Sequence, residues 1–483
     1  MIFSSITFLF FFLPGVLFLV FASPQRLRNL LLLLASLLFY AWGEGVYLLA
    51  LLASIFTNFL CGHLLASHEG RGSAKAILVF GIVLNIAMLA FFKYANFIAD
   101  NLNPLLLSLQ LPKLTLAAIH RPIGISFFTF QAISYLIDIF RRQVKPAKNP
   151  LDFALYLSFF PVILAGPILR YPQIARDLRS RHRSIQGFAE GTQRFILGLG
   201  KKVLLANPLA LIADQIFALP SRELSPALAW LAALCYTLQI YFDFSGYSDM
   251  AIGVGRLFGF HLPENFNYPY ISHSIREFWR RWHISLSSWL RDYLYIPLGG
   301  SRQGTIRTLL NLLIVFLLCG LWHGASWTFI FWGLYHGFFL IIERSRLEQW
   351  RQRLWTPLQQ VQTLLVIMVG WVLFRSETLA DALRFLSLMA GVNTLPGGHT
   401  SPAQFLDGKA QLELAMALLF SLPILPTLGR WKERILAKTG QHLHLWLDGV
   451  IHLTQLSILT GLLYLSSISL AAVAYSPFIY LKF

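Results

Sequence analysis

The chain has few charged residues and few cysteines for its length. Of its 483 residues, 13% are charged and 56% are hydrophobic, whereas an average soluble domain has about 25% charged residues. A soluble protein of this size needs more polar side chains to cover its surface. Its cysteines, Cys61, Cys235 and Cys319, form no CxxC pair, which argues against a disulfide scaffold. The composition therefore predicts a polytopic membrane protein and argues against a soluble enzyme or a disordered chain.

Several familiar catalytic motifs are also absent. No histidine is followed by aspartate in an HxxxxD pattern, and the chain contains no GxSxG, GxGxxG, Walker A or HExxH motif. These absences argue against the HxxxxD acyltransferases, α/β-hydrolases, common nucleotide-binding folds and zinc hydrolases. We therefore expect neither a metal nor a permanently bound cofactor.

Positive charge is in clear excess. Lys and Arg total 39 against 22 for Asp and Glu, so the formal net charge is +17. In a membrane protein this excess is typical of cytoplasmic loops that set the orientation and lie near anionic lipid. We therefore expect membrane lipid, not nucleic acid, as a partner. Placing the basic loops in the cytoplasm predicts that both termini lie outside. These loops are 141–148, 170–202, 271–307, 344–353 and 430–438.

Long hydrophobic runs occur throughout the chain. A transmembrane helix needs about 20 apolar residues, and the runs predict ten to twelve crossings plus re-entrant pieces. The first run lacks a basic n-region and is interpreted as a helix, not a signal peptide. Residues 151–169 are expected to be re-entrant because both flanks are basic. The candidate segments are 2–21, 30–42, 46–60, 76–92, 123–140, 151–169, 196–217, 227–244, 309–342 as a hairpin, 361–374, 412–428 and 451–475.

Two carboxylates lie within an otherwise apolar stretch, residues 241–253. Asp243 and Asp249 would each cost about 2.5–3.5 kcal/mol at the centre of a bilayer. One interpretation is that they line a polar cavity. The alternatives are an ion pair with an arginine or a position at the membrane interface. Neither aspartate stands in a nucleophile pattern.

A second stretch combines arginines with a histidine. At 100° per residue, Arg276, Arg280, His283 and Arg291 fall on one face of residues 274–293, opposite an apolar face. This periodicity predicts one amphipathic helix along the membrane surface. A row of arginines could bind the phosphates of a coenzyme. The alternative is contact with phospholipid headgroups.

The third stretch, residues 309–342, forms two apolar halves around His323. Each half has 13–15 residues, or about 20–23 Å of helix, short of a bilayer core of about 30 Å. The break is therefore predicted at membrane depth, inside the protein or beside a water-filled cavity. An imidazole there is suited to proton abstraction; the alternative is a core histidine with satisfied hydrogen bonds. His336 falls on another helical face and is predicted to be structural.

An ordered series of motifs resembles the membrane-bound O-acyltransferase (MBOAT) family, over residues 1 to about 342. The resemblance implies an all-α polytopic bundle of about 11 transmembrane helices, with re-entrant segments around a tunnel. We expect one membrane domain, 1–483, with C-terminal transmembrane helices at 343–483. The motifs are FKYAN (92–96), PIGISF (122–127), YFDFSGYSDMAIG (241–253), ENFN (264–267), EFWRRWHISL (277–286), WLRDYLYI (289–296) and LWHG (321–324).

The resemblance also implies the roles of the two histidines. His323 would be the catalytic base and His283 its essential companion. We expect a substrate cavity lined by Asp243, Asp249, Asn265 and Trp322. Donor phosphates are expected at Arg276, Arg280 and Arg291.

The branch most similar to this chain acetylates bacterial polysaccharides. It implies an O-acetyltransferase of the bacterial inner membrane that takes acetyl groups from cytoplasmic acetyl-CoA. Periplasmic acetyltransferase partner proteins would receive them for an exopolysaccharide, with alginate as the expected polymer. The alternatives are acetylation of cellulose or peptidoglycan, a transporter that moves an acyl donor without chemistry, and a purely structural subunit.

Overall fold

The computed structural model describes residues 2–220, 222–392, 400–439 and 441–472, and all elements in these ranges are helical. Short π-helical turns occupy Phe8–Phe12, Lys201–Ala206 and Arg291–Tyr295. The α-helices are α1 Leu13–Ala22, α2 Arg28–Glu44, α3 Leu48–Ser67, α4 Gly72–Ser108, α5 Ile125–Phe140, α6 Pro150–Ser158, α7 Phe160–Ile163, α8 Tyr171–Arg179, α9 Ile185–Gly200, α10 Asn207–Phe217, α11 Pro226–Leu257, α12 Ile275–Arg281, α13 Ile284–Leu290, α14 Thr305–His323, α15 Trp327–Ile342, α16 Arg346–Arg351, α17 Thr356–Arg375, α18 Leu379–Met389, α19 Gly408–Phe420, α20 Ile424–Leu436 and α21 Gln441–Ala472.

Seven helical stretches in the described residues are long and apolar enough to cross a membrane. The bent pair of α19 and α20, which meet at 61°, raises the number to eight. The all-α polytopic architecture is therefore confirmed. The ten to twelve predicted crossings are reached only when shorter apolar helices also contribute. These are Phe8–Ala22, Ile125–Phe140, Pro150–Ile163 and Trp327–Ile342. The orientation of the termini stays a prediction.

The first predicted span is shorter than expected. Its helical part covers only Phe8–Ala22, about 22 Å at 1.5 Å per residue. Phe3 is buried, and its ring stacks on that of Tyr247 with 4.8 Å between centroids. Phe3 and Ser4 therefore pack into the protein core instead of extending a membrane helix. At the other end, residues 473–475 of the last predicted segment lie outside the described residues.

Helices α9 and α11 pack closely in the core through two reciprocal glycine pairs. A Cβ atom built on Gly198 would lie 2.6 Å from the Gly246 carbonyl oxygen, and one on Gly246 would lie 2.7 Å from that of Gly198. Gly191 and Gly253 repeat the arrangement at 2.8 and 2.6 Å. Small residues allow membrane helices to approach this closely. The pairs fix α11, which carries the YFDFSGYSD stretch, against the helix that precedes α10.

The segment predicted to be re-entrant is broken inside the protein. Helix α6 ends at Ser158, α7 is a single turn, and non-helical residues lead to α8. Gly124, with φ at +80°, immediately precedes α5. A Cβ added to this residue would lie 2.2 Å from the Ile163 carbonyl oxygen. Only glycine combines this conformation with so close an approach. The structure thus confirms the break, whereas its direction relative to a bilayer stays a prediction.

Helices α14 and α15 form the predicted hairpin. A Cβ on Gly320 would lie 2.2 Å from the Phe329 carbonyl oxygen, and one on Gly333 equally close to that of Phe316. The prediction that neither half can span a membrane is wrong for α14. Its 19 residues reach about 28 Å, because the helix begins at Thr305 and continues to His323. Its length alone therefore does not place the break at mid-depth.

Candidate active site

His323 is the last residue of α14, and 4% of its surface is exposed. Its imidazole meets three aromatic rings edge-on: Trp322 at 5.0 Å, Trp332 at 5.0 Å and Phe374 at 5.2 Å between centroids. Trp332 comes from α15 and Phe374 from α17. Because the helix ends here, aromatic side chains from two further helices can surround the imidazole.

Helix α4 supports the end of α14. The Lys93 ammonium donates hydrogen bonds to the Trp322 carbonyl oxygen and, at 3.2 Å, to that of His323. The Tyr94 hydroxyl donates to the Leu321 carbonyl oxygen. The last carbonyls of a helix have no intrahelical donor, and a cation at this end is favourable for the helix dipole. The break at His323 is therefore satisfied by two neighbouring side chains.

His283 lies in a second break. The prediction of one amphipathic helix over residues 274–293 is wrong, since α12 ends at Arg281 and α13 begins at Ile284. His283 between them has φ +42° and ψ +56°. This left-handed conformation costs a residue with a Cβ about 1–2 kcal/mol. The ring is 1% exposed, so His283 faces the interior and not the membrane surface.

Asn265 holds this break in place. Its backbone carbonyl accepts from the Ile284 N–H at 2.9 Å. Its side-chain oxygen accepts from the Ser285 N–H at 3.2 Å and the Ser285 hydroxyl at 2.9 Å. Its amide donates to the Ser248 hydroxyl at 3.1 Å. Asn265 was expected in a substrate cavity; in the structure it supplies hydrogen-bond partners to the first residues of α13.

Trp322 lies between the two histidines. Its ring centroid is 6.0 Å from that of His283 and 5.0 Å from that of His323. Phe244 of α11 packs on His283, with 4.7 Å between the two ring centroids. The structure thus brings His283, His323 and Trp322 into one buried cluster. Two imidazoles at such a place can accept a proton from a substrate and return it.

Asp243 and Asp249 both form ion pairs. Asp243 lies 2.6 Å from the Lys202 ammonium, and both side chains are almost fully buried. Asp249 lies 2.6 Å from Lys201 and 2.6 Å from Arg194. The ion-pair interpretation is therefore the one that the structure supports, with lysines as well as an arginine.

The predicted row of arginines around His283 is not found. Arg276, Arg280 and Arg291 are exposed, while His283, placed on the same face by the periodicity, is buried. Arg291 instead pairs with Asp292 at 2.6 Å. Burial raises the pKa of Asp292, but hydrogen bonds from Arg291 and Arg170 outweigh it and hold that pKa below its usual value. Coenzyme binding by the three arginines stays a prediction.

Sequence reasoning missed several residues that surround the histidines. His336, which the sequence predicts to be structural, contacts Trp332, which also contacts His323; its structural role stays a prediction. Trp279 of α12 lies 5.2 Å from His336. Trp371 and Phe374 come from α17, where no motif stood out. Among the described residues, no group of three or more His, Cys, Asp or Glu residues could hold a metal ion.

Two buried histidines around one tryptophan in a helical membrane bundle are a candidate site for proton transfer. The chain belongs to the MBOAT, membrane-bound O-acyltransferase family, whose model matches residues 124–374. The matched region contains both histidines and ends at Phe374. The chain is thus a multi-pass membrane acyltransferase.

Individual relatives are similar over almost the whole chain. The probable alginate O-acetylase AlgI of Pseudomonas putida is 43% identical over 490 residues, which cover 100% of both chains. Its Pseudomonas aeruginosa counterpart is 48% identical over 82% of this chain and 76% of its own. The peptidoglycan O-acetyltransferase of Helicobacter pylori is 37% identical over 88% of this chain and 86% of its own.

Proposed function

We propose that this acyltransferase takes acetyl groups from cytoplasmic acetyl-CoA and passes them across the bacterial inner membrane for O-acetylation of alginate. The observation that carries the proposal is the 43% identity to a probable alginate O-acetylase over the full length of both chains. The match includes the loops that connect the helices as well as the core. The presence of both histidines at one buried site supports transfer chemistry rather than transport of an intact donor.

In the proposed reaction, His323 acts as general base. Its imidazole takes the proton from an acceptor hydroxyl, whose oxygen attacks the thioester carbonyl carbon. The carbon–sulfur bond then breaks, and the coenzyme A thiolate leaves and takes up a proton. A relay nucleophile on the way to the acceptor would react in the same manner. His283 binds the thioester or donates a hydrogen bond to the developing oxyanion.

The two faces of the protein then have separate tasks. Arg276, Arg280 and Arg291 are exposed, and we assign them to the phosphates of the donor on the cytoplasmic side. The acetyl group moves inward past His283 and Trp322 to His323. Periplasmic acetyltransferases receive it on the other side and modify the polymer.

Complementation tests this function. An alginate-producing bacterium without its own homologue is given the wild-type chain or the His323→Ala variant, at equal abundance in the membrane. We expect the wild type to restore O-acetyl groups on secreted alginate, measured by NMR, and the variant to leave the polymer unacetylated. Unacetylated alginate with the wild type, or full acetylation with the variant, would contradict the proposal.

Peptidoglycan is the second candidate acceptor, favoured by the 37% identity to a peptidoglycan O-acetyltransferase over 460 residues. Muropeptide analysis of the same cells distinguishes the two. O-acetylated muramic acid with unmodified alginate would support peptidoglycan as the acceptor.

A further inference from the structure

Lys93 is a buried lysine in the middle of α4, with 7% of its surface exposed. A buried amine is costly unless it is hydrogen-bonded, and ionisable residues within apolar helices are commonly functional. Each hydrogen-bond acceptor described for Lys93 is a neutral oxygen atom. Lys93 is therefore placed to bind backbone carbonyls, not to neutralise an acidic side chain.

The contacts of Lys93 converge on the break that carries His323. Its amine donates to the carbonyls of Trp322 and His323, the two residues before Gly324. A third, longer hydrogen bond of 3.4 Å reaches the Ser126 hydroxyl at the start of α5. The amine also lies 5.8 Å from the centre of the Trp322 ring. One side chain of α4 thus connects α5 with the end of α14.

The geometry of these carbonyls explains why a lysine is required. In a continuing helix, the carbonyls of Trp322 and His323 would accept from N–H groups four residues later. Here the helix stops, because residues 324–326 are non-helical. An amine with three donors on a long side chain can reach both carbonyls at once. A hydroxyl or an amide in the same helix would replace fewer of the missing bonds.

We propose that Lys93 is a positioning residue, which fixes the last turn of α14 and thereby the direction of the His323 imidazole. The inference rests on the proposed role of His323 in acyl transfer. Lys93 itself touches backbone atoms and the Trp322 ring, not reacting atoms. Without its amine the helix still forms, but its last turn frays and the imidazole loses a fixed direction.

Tyr94, the next residue, provides a matched control. Its hydroxyl also binds α14, but at the Leu321 carbonyl, two residues before His323. Tyr94→Phe removes one hydrogen bond from the same helix end and keeps the ring. A general weakening of the α4–α14 contact would make Tyr94→Phe and Lys93→Met behave alike. A specific role in directing His323 separates them.

The experiment compares wild type, Lys93→Met, Lys93→Arg and Tyr94→Phe, purified and assayed for acetyl transfer at varied donor concentration. We expect Lys93→Met to lower kcat about 10- to 100-fold, since displacement of a catalytic group by about 1 Å has effects of this size. KM for the donor should stay within a factor of two. Lys93→Arg should fall between wild type and Lys93→Met, because its donors fit the two carbonyls less well. Tyr94→Phe should stay within about threefold.

Wild-type kcat in Lys93→Met, or equal losses in Lys93→Met and Tyr94→Phe, would overturn the proposal. If Lys93→Met does not accumulate, Lys93→Arg decides: a reduced kcat at unchanged KM supports the proposal, and a wild-type kcat overturns it. If the acceptor is peptidoglycan and not alginate, the proposed polymer is wrong. The ratio of Lys93→Met to wild-type activity is then measured with peptidoglycan as acceptor, and the same outcomes support or overturn the positioning role of Lys93.

Discussion

The two histidine breaks of the site are built in opposite ways. His323 keeps helical backbone at the end of α14, and the last carbonyls of this helix accept hydrogen bonds from Lys93 and Tyr94. His283 takes a left-handed backbone between two short helices, and the N–H groups that follow it are bound by Asn265. One break thus needs donors for free carbonyls, and the other needs acceptors for free N–H groups. Each histidine consequently has its own supporting side chain on a distant part of the sequence.

The largest expected effect is the loss of acetyl transfer when either imidazole is removed. His323→Ala should lower acetyl transfer about 10²- to 10⁴-fold, the usual contribution of a general base. His283→Asn, which tolerates the left-handed backbone, should lower it about 10²- to 10³-fold if the ring stabilises an oxyanion. The measurement is single-turnover acetyl transfer at equal protein amount. Equal activity of His323→Ala and wild type would remove His323 from the mechanism.

The second prediction concerns the buried ion pair of α11, the helix whose Phe244 packs on His283. Asp243→Asn should destabilise the protein by about 3–5 kcal/mol, because it leaves the Lys202 ammonium buried without its partner carboxylate. The double variant Asp243→Asn with Lys202→Met should recover much of this loss. Thermal unfolding of the purified variants in detergent provides the measurement. If the double variant is no more stable than Asp243→Asn, the unpaired Lys202 ammonium is not the cause of the destabilisation.

Support of His283 is tested by Asn265→Ala. The variant leaves the Ser285 N–H without its acceptor and should cost about 1–3 kcal/mol, with a larger loss of activity than of abundance. Asn267→Ala is the matched control, since the exposed Asn267 has hydrogen bonds only through its backbone among those described. Activity and thermal stability are measured for both. Equal behaviour of the two variants would contradict the role given to Asn265.

The smallest effect is expected at Asp292, just after α13. Its pKa lies below the ordinary value of 3.8 because of Arg291 and Arg170, so its stabilising contribution is present above that value and is lost as pH falls through the lowered pKa. Because all three side chains are partly exposed, the contribution should not exceed about 1 kcal/mol. Asp292→Asn should therefore be slightly less stable than wild type at pH 7 and equal to it near pH 2. A stability difference between the two proteins that stays constant from pH 7 to pH 2 would exclude the Asp292 charge as its origin.

The sequence predicts one of these breaks and misses the other. The two apolar halves of residues 309–342 predict a break at His323, and the structure has a helix end there. Nothing near His283 predicts a break, because Trp282-His283-Ile284 contains neither glycine nor proline. That break depends on Asn265, 18 residues earlier, whose contact exists only in the folded chain. The helical periodicity therefore predicts one helix across His283, where the backbone is in fact left-handed.

The sequence also could not predict interaction partners that come from distant segments. The carboxylates of Asp243 and Asp249 needed cations, but no local spacing identifies Lys202 and Lys201 on another helix. Trp371 and Phe374 lie in an apolar span where any aromatic residue fits the pattern. The family resemblance located the two histidines, whereas the side chains that hold them required the three-dimensional arrangement.

The reciprocal glycine pairs between α9 and α11 also limit where a coenzyme or an acetyl group can travel. A contact that has no room for a methyl group has none for an acyl donor, so no substrate can pass between α9 and α11 at these glycines. The opposite side of α11 carries Tyr241 and Phe244, which contact Trp282 and His283. A route by which substrate reaches the two histidines therefore has to avoid the contact between α9 and α11.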